Sequence, residues 1–299
     1  ALLVYVSSWL KCHEPAAFCA GLLNSQPLGF YSPSQLVQDA KRHGVELRPV
    51  DVTVSEWHST LERDRPALRL GLHMIKGLPE QSAQRIISIR QIAPFSDSAD
   101  FFRRTQLNKR ELNCLSDANA LAALTGNRRK AMWETLGLTP EDVPLAVNAR
   151  VETKPELLPP TEGEDLVADY RRLGLTLGRH PLALLRARLK ALRLCTAEDV
   201  MNAQHRQTVY AAGIVTCRQR PGTASGVIFM TLEDETGNIN VVVWNSLIER
   251  QRRELLGSRL LGVHGIVERK GDLVHLIAGK LVDHSHLLGS LVTGSRDFH

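Results

Sequence analysis

The feature that most constrains this 299-residue chain is a change in hydrophobic period near Thr208. Up to that point apolar residues recur at helical spacing. Beyond it they alternate every second residue, the mark of half-buried strands. Val209 to Val215, Val227 to Asp234 and Ile239 to Trp244 read as three strands, and Glu235-Thr236-Gly237-Asn238 as the hairpin turn between the last two. Ser246 to Leu256 reads as a helix. Leu260 to Glu268 and Leu273 to Val282 read as two more strands, joined by Arg269-Lys270-Gly271-Asp272. The order β-β-β-α-β-β within about 75 residues predicts the five-stranded Greek-key barrel of the OB-fold, its helix between strands three and four.

The residues before the barrel predict a helical region. Residues 1–24 read as helix, with Pro15 suited to the first turn of a new one. Gln26-Pro27-Leu28-Gly29 breaks the pattern, Gln35 to His43 resumes it, and Gly44 stops it. Val45 to Val54 is extended, and Leu68 to Leu72 is a short apolar run. Ile75-Lys76-Gly77-Leu78-Pro79-Glu80 is a tight turn before a helix from Ser82 to Gln91, and Phe95 to Arg104 is helical. A further helix starts at Leu107-Asn108-Lys109-Arg110. Asp117-Ala118-Asn119-Ala120-Leu121 is a second tight turn, with helix again from Arg128. Residues 137–165 are acidic and carry Pro140, Pro144, Pro155, Pro159 and Pro160, the composition of a linker. Leu166 to Leu194 returns to helix in two pieces, split at Gly178-Arg179-His180-Pro181. The fold class is therefore multidomain α+β, a helical region followed by a five-stranded OB-fold β-barrel.

Composition excludes several classes. With 43% hydrophobic residues and this length the chain can bury a core unaided. No apolar run approaches the roughly 20 residues of a membrane-spanning helix, so no membrane partner is expected, and the cysteine usage suits a reducing cytoplasm. Five cysteines without Cys-x-x-Cys spacing indicate neither a zinc site nor a disulfide framework. Cys12 and Cys19 are two helical turns apart and read as one buried helix face. No P-loop, nucleophile elbow or zincin motif is present, no metal or other cofactor is indicated, and no catalytic residue is assigned. Glu233-Asp234-Glu235 reads as a solvated turn. The net charge of +5 hides a segregation: +6 over residues 63–135, −6 over 136–169 and +8 over 170–220. Basic blocks of this kind suit a surface that tracks phosphates.

The tight turn at Lys76-Gly77 fits a helix-hairpin-helix, whose glycine-rich hairpin at a helix N-terminus points backbone N–H groups at a phosphate. Lys76 adds a point charge. Pro79 replaces the usual second glycine, suits the first helical position and removes one donor. At the second turn Asn119 stands where glycine is expected and tolerates the left-handed conformation, and Lys109 and Arg110 lie on the helix before it. OB barrels bind single strands on strands two and three and in the loops joining strands 1–2 and 4–5. The first loop here holds Arg218 and Arg220 within Arg218-Gln219-Arg220-Pro221-Gly222-Thr223-Ala224-Ser225-Gly226, and the second holds Arg269 and Lys270. Phe229 and Trp244 lie on strands two and three. Alternation alone leaves open whether they face core or solvent. The DNA-contacting candidates are thus Lys76, Gly77, Lys109, Arg110, Arg218, Arg220, Phe229, Trp244, Arg269 and Lys270.

Longer stretches carry a resemblance. Ser7 to Phe18, Gly44-Val45-Glu46 leading to Pro49-Val50-Asp51-Val52, Arg69-Leu70-Gly71-Leu72 leading to Ile75-Lys76-Gly77, and Leu107-Asn108-Lys109-Arg110 resemble the late fingers region of bacterial C-family (DnaE-type) DNA polymerases. Phe229 to Gly237 resembles that family's OB domain, and the match is collinear over residues 1–285. Asn24 to Pro33, Arg218 to Gly226 and the ending Ser295-Arg296-Asp297-Phe298-His299 resemble the error-prone, ImuC-like branch.

The resemblance implies late fingers over 1–66, a helix-hairpin-helix region over 67–136, and an acidic linker with connecting helices over 137–207. It implies an OB-fold over 208–285 and a tail over 286–299. The chain opens on Ala1-Leu2-Leu3, without Met, and is expected to be the C-terminal piece of a longer DNA-directed DNA polymerase acting in damage-induced mutagenesis and translesion synthesis. The palm carboxylates and their Mg2+ would lie upstream. The implied partners are primed DNA, single-stranded template, accessory mutasome proteins and, indirectly, the sliding clamp. Replicative members of that family carry a clamp-binding Gln-x-x-Leu-Phe-like peptide where this chain reads Asp142-Val143-Pro144-Leu145-Ala146-Val147, so direct clamp binding is not expected. A stand-alone OB module for tRNA or single-stranded DNA, or a protein-interaction fragment, are the alternatives that residues 208–283 leave open.

Overall fold

A computed structural model describes residues 2–29, 31–62, 67–137, 157–221, 226–291, 293 and 295–298. The peptide 142–147 and residues 222–225 of the expected β-loop lie outside these. The chain divides into two compact units, Ala1–Leu177 and Gly178–His299.

In the first unit α1 (Leu2–His13), α2 (Pro15–Asn24) and α3 (Pro33–Arg42) lead into a small sheet. Its strands β1 (Glu46–Arg48), β2 (Thr60–Leu61) and β3 (Ala67–Arg69) run in the order β1-β3-β2, β1 parallel and β2 antiparallel to β3. Then follow α4 (Glu80–Ile92), α5 (Ser98–Thr105), α6 (Lys109–Asp117), the single turn α7 (Ala122–Thr125), α8 (Arg128–Leu136) and α9 (Glu162–Arg172). One hydrophobic core runs from Ala16 through Leu68, Leu72, Ile86, Phe101, Leu115 and Leu121 to Leu175. Two expectations are corrected here. Cys12 and Cys19 do not share a helix face, because the chain turns at Glu14: Cys12 is exposed on α1 and Cys19 buried on α2. Helix α9 begins at Glu162, inside the expected linker, because Thr161 and Glu164 form a capping box that starts the helix four residues before its apolar pattern does.

The return of α9 to the first unit is fixed by charge. Arg128, 5% exposed, donates to the carboxylates of Asp165 and Asp169, and Arg172 donates to buried Asp117 at 2.8 Å. Burial pushes the Asp169 carboxyl up, against the pull of Arg128 and of the Thr176 hydroxyl.

The second unit opens with α10 (Pro181–Ala191) and α11 (Ala197–Asn202). Strands β4 (Thr208–Gln219), β5 (Val227–Glu233) and β6 (Asn238–Trp244) are followed by short helices α12 (Asn245–Arg250) and α13 (Arg252–Gly257), then β7 (Leu260–Lys270) and β8 (Leu273–Asp283). The ring β5-β6-β8-β7-β4 closes through the β4–β5 pairing, with β6 and β8 parallel. This is the five-stranded closed barrel of the OB-fold. Gly213 is where β4 passes from β7 to β5. A Cβ there would lie 2.7 Å from that of Leu232, so only glycine fits. The expected single helix 246–256 is parted at Gln251, whose side-chain amide exchanges two 2.8 Å bonds with the Leu281 backbone instead of continuing the helix. A sixth strand that alternation did not reveal, β9 (Arg296–Phe298), pairs in parallel with Cys217–Gln219.

Three charged groups read as solvent-facing in the sequence are structural. Asp234 is fully buried, not part of a solvated turn. It accepts from the Thr236 N–H and hydroxyl, the Gly237 N–H, the Ala197 N–H at the start of α11, and Arg186. Glu233 beside it is also buried. Burial opposes ionisation of Glu235, yet the Arg186 guanidinium at 2.5 Å holds its carboxyl below the usual range. Arg218 is 6% exposed and donates to the Leu255 and Ser258 carbonyls, the Ser295 hydroxyl and Asp297, fastening the end of α13 to β4. Arg269 reaches the carbonyls of Met201 and Ala203 at the C-terminal end of α11, where a cation offsets the helix dipole. Arg218 is therefore withdrawn from the DNA-contacting set, whereas Arg269 is half-buried and spends one guanidinium nitrogen on those carbonyls.

Replacing Asp234 by Ala leaves buried donors and Arg186 without their acceptor. The expected loss is about 3–5 kcal/mol of second-unit stability, read as a lower urea midpoint.

Candidate nucleic-acid interface

In the first unit the N-terminal ends of α4 and α6 lie side by side, joined by the Ser82 hydroxyl donating to Glu111 at 2.6 Å. The turn before α4 places Gly77 at φ +88°, a left-handed conformation that L side chains rarely adopt. A Cβ there would also meet the Cys114 sulfur at 3.3 Å. Among the described residues the N–H groups of Gly77, Glu80 and Gln81 have no acceptor, and all three residues are exposed. The Lys76 N–H is not among these free donors, because it bonds to the Arg172 carbonyl at 2.9 Å. Pro79 is the N-cap of α4, one place before the first-turn position the sequence suggested, with ψ 146°. Because Pro79 lies at the N-cap and not in the first turn, its missing N–H takes no donor from that turn. Glu80 puts a carboxylate at the first position of α4, where it competes for the same partial positive charge.

Lys109 and Arg110 are exposed at the first two positions of α6, behind the capping box of Asn108 and Glu111. Cations at a helix N-terminus run against the dipole. Neither has an acidic partner within 4 Å among the described residues. Lys76, Gly77, Lys109 and Arg110 are thus gathered around two adjacent helix starts. The second turn is less regular. Asn119 does take the left-handed conformation, at φ +57°, but the helix after it is the four-residue α7.

In the second unit, alternation on β5 and β6 resolves the orientation of both aromatics. Ile228, Met230, Leu232, Ile239, Val241 and Val243 fill the barrel core, so Phe229 and Trp244 lie on the outer face. Trp244 is 53% exposed and Phe229 half-buried. Pairing places Phe229 beside Val242, Val242 beside Ile277 and Ile277 beside Ile266, with Trp244 beside Val227. An apolar row therefore crosses the outside of four strands. Arg220 is exposed at the end of β4, and Lys270 at the tip of β7 beside Glu268. Tyr210, not singled out in the sequence, is exposed on β4 and lies against His264, ring centres 4.3 Å apart. Its place between Val209 and Ala211, both in the barrel core, was the available signal. Burial and the Lys280 charge hold His264 below the usual imidazole range.

No group of three or more His, Cys, Asp or Glu among the described residues could hold a metal ion. No helix among them is long and apolar enough to cross a membrane.

Comparison with known proteins adds to this geometry. Residues 44–131 match the helix-hairpin-helix motif model, and residues 209–283 match the OB-fold nucleic acid binding domain model. Asparaginyl-tRNA synthetase from Pyrococcus horikoshii aligns with 30% of this chain and 22% of its own at 24% identity and a TM-score of 0.26, too slight a likeness to bear on function. The error-prone DNA polymerase of Alkalilimnicola ehrlichii is 55% identical over 303 residues, covering 100% of this chain and 30% of its own length. That of Azoarcus sp. is 55% identical over 307 residues, covering 100% and 29%. The chain spans about three tenths of the length of these relatives, and along all of its own length it is similar to a segment of bacterial error-prone DNA polymerases.

Proposed function

We propose that this chain is the DNA-handling part of an error-prone DNA-directed DNA polymerase of the C-family, ImuC-like branch, serving translesion synthesis in damage-induced mutagenesis. The observation that carries the reading is the end-to-end similarity to error-prone DNA polymerases, together with exposed cations and aromatics on the two folds that suit nucleic acid. The catalytic carboxylates and Mg2+ belong to the remaining length that the relatives possess. Within this chain, residues 1–66 would belong to the fingers, and the outer barrel face would receive the template.

The roles follow from the chemistry of the groups. At the first hairpin the free N–H groups of Gly77, Glu80 and Gln81 bind one backbone phosphate. Lys76, Lys109 and Arg110 neutralise that phosphate and its neighbours without reading sequence, as a polymerase needs. On the barrel, Phe229 and Trp244 offer faces on which single-stranded bases stack, again without base preference. Arg220 and Lys270 flank that face and attract the backbone. Accessory mutasome proteins supply the link to the sliding clamp.

Two outcomes are expected in fluorescence anisotropy titrations of the full chain. Replacing Lys76, Lys109 and Arg110 together by Ala should weaken binding of a primed DNA hairpin. It should also flatten the log Kd against log salt plot, by about 0.9 for each phosphate that is no longer neutralised. Trp244→Ala should cost about 1–3 kcal/mol in binding a single-stranded oligonucleotide, with the thermal midpoint unchanged because the indole is exposed. Unchanged affinities in both series would overturn the reading. Tighter binding of tRNA than of primed DNA would favour a stand-alone OB module instead.

A further inference from the structure

We propose that Arg172 is a positioning residue for the phosphate grip of the first hairpin. It ties the turn at Lys76-Gly77 to the turn at Asp117 through the end of α9. The inference rests on the DNA-binding reading of that hairpin.

The last carbonyls of a helix have no donor within it. At the end of α9 the Arg172 carbonyl finds one in the Lys76 N–H, at 2.9 Å. The same residue's guanidinium turns to the second hairpin. Its Nε and a terminal nitrogen each lie 2.8 Å from Asp117 Oδ2, and another terminal nitrogen reaches the Cys114 sulfur at 3.6 Å. Asp117 is 6% exposed and is the last residue of α6. Cys114 is the residue on which a Cβ at Gly77 would press. One residue thus holds both turns, main chain to the first and side chain to the second. Two residues on, Gly174 (φ +73°) passes so close to Lys76 that a side chain there would meet its ammonium at 3.2 Å. The end of α9 therefore fixes the backbone and the charge of the first hairpin together.

This arrangement gives the consumed Lys76 N–H a purpose. With that donor anchored inward, the turn presents the Gly77, Glu80 and Gln81 N–H groups outward. Arg171 also reaches Asp117, at 3.2 Å, but is 60% exposed and makes no contact with the first hairpin among the described residues. Charge on Asp117 is therefore shared between two arginines, whereas the link between the turns belongs to Arg172.

The test is a double-mutant cycle on the full chain with a fluorescein-labelled primed DNA hairpin as probe, affinity measured across a salt series. R172A is expected to weaken binding about three- to tenfold, as when about one phosphate goes unheld, and to lower the salt slope as K76A does. Because Arg172 acts on binding only by placing the turn that carries Lys76, the double variant K76A/R172A should bind little worse than K76A alone. R172K, which keeps the charge but loses the fork on Asp117, should fall between wild type and R172A, the main-chain bond to Lys76 being common to all the variants. It supplies the answer if R172A does not fold. R171A should bind as wild type. If K76A weakens binding while R172A and R172K leave it unchanged, the positioning role is overturned and the hairpin reading stands. If K76A has no effect, both fall. Additive effects in the double variant would also overturn the proposal.

Discussion

The second unit depends on one strand serving two neighbours. Strand β4 gives its first half to β7 and its second to β5, and the barrel closes only because it does so. The crossing at Gly213 has no room for a side chain, and the register shifts between Val215 and Cys217 just beyond it. Closure then dictates orientation. Once Ile228, Met230, Val241 and Val243 are committed to the interior, Phe229 and Trp244 have only the outer face. The same closure buries Asp234 and makes it the acceptor on which the β5–β6 turn and the start of α11 both rely. What looks like a binding surface is the side of the sheet that the core did not need.

The first unit solves a related problem with helix ends. Each helix leaves N–H groups at one end and carbonyls at the other, and buried ends need partners. Asn108 with Glu111, Thr161 with Glu164 and Asn127 satisfy three starts locally. The start of α4 is left open, with Pro79 at its cap and exposed donors around it. α2 and α7 also start without a side-chain cap, but only the start of α4 lies beside Lys109 and Arg110, two exposed cations that have no acidic partner among the described residues.

Much of this was legible in the residues. The switch to period two gave five strands, their turns and the helix insertion, because one-sided burial imposes alternation. The hairpin at Lys76-Gly77 was legible because glycine there is a conformational requirement. The charged residues were legible only in part. Arg218 and Arg220 are alike as letters, yet one is buried beneath α13 and the other is exposed. Arg269 is half-buried against the end of α11 while Lys270 is exposed, and Glu233-Asp234-Glu235 turned inward where acidic turns usually face water. Whether a charge meets solvent or a distant carbonyl is decided by partners 37 to 79 residues away, as for Arg218 with Leu255 and Asp297. Local pattern holds no record of such partners. Strand β9 was missed for the same reason: three residues are too few to show a period.

That short strand has a consequence for how the protein behaves in a crowded solution. Past Ile214, β4 leaves β7 and would offer a row of bare amides and carbonyls, the kind of margin along which unrelated chains join into aggregates. Arg296 to Phe298 lies along Cys217 to Gln219 and closes that margin with the chain's own backbone. β9 thus acts as a selvedge, keeping the barrel from being unravelled into sheet by its neighbours.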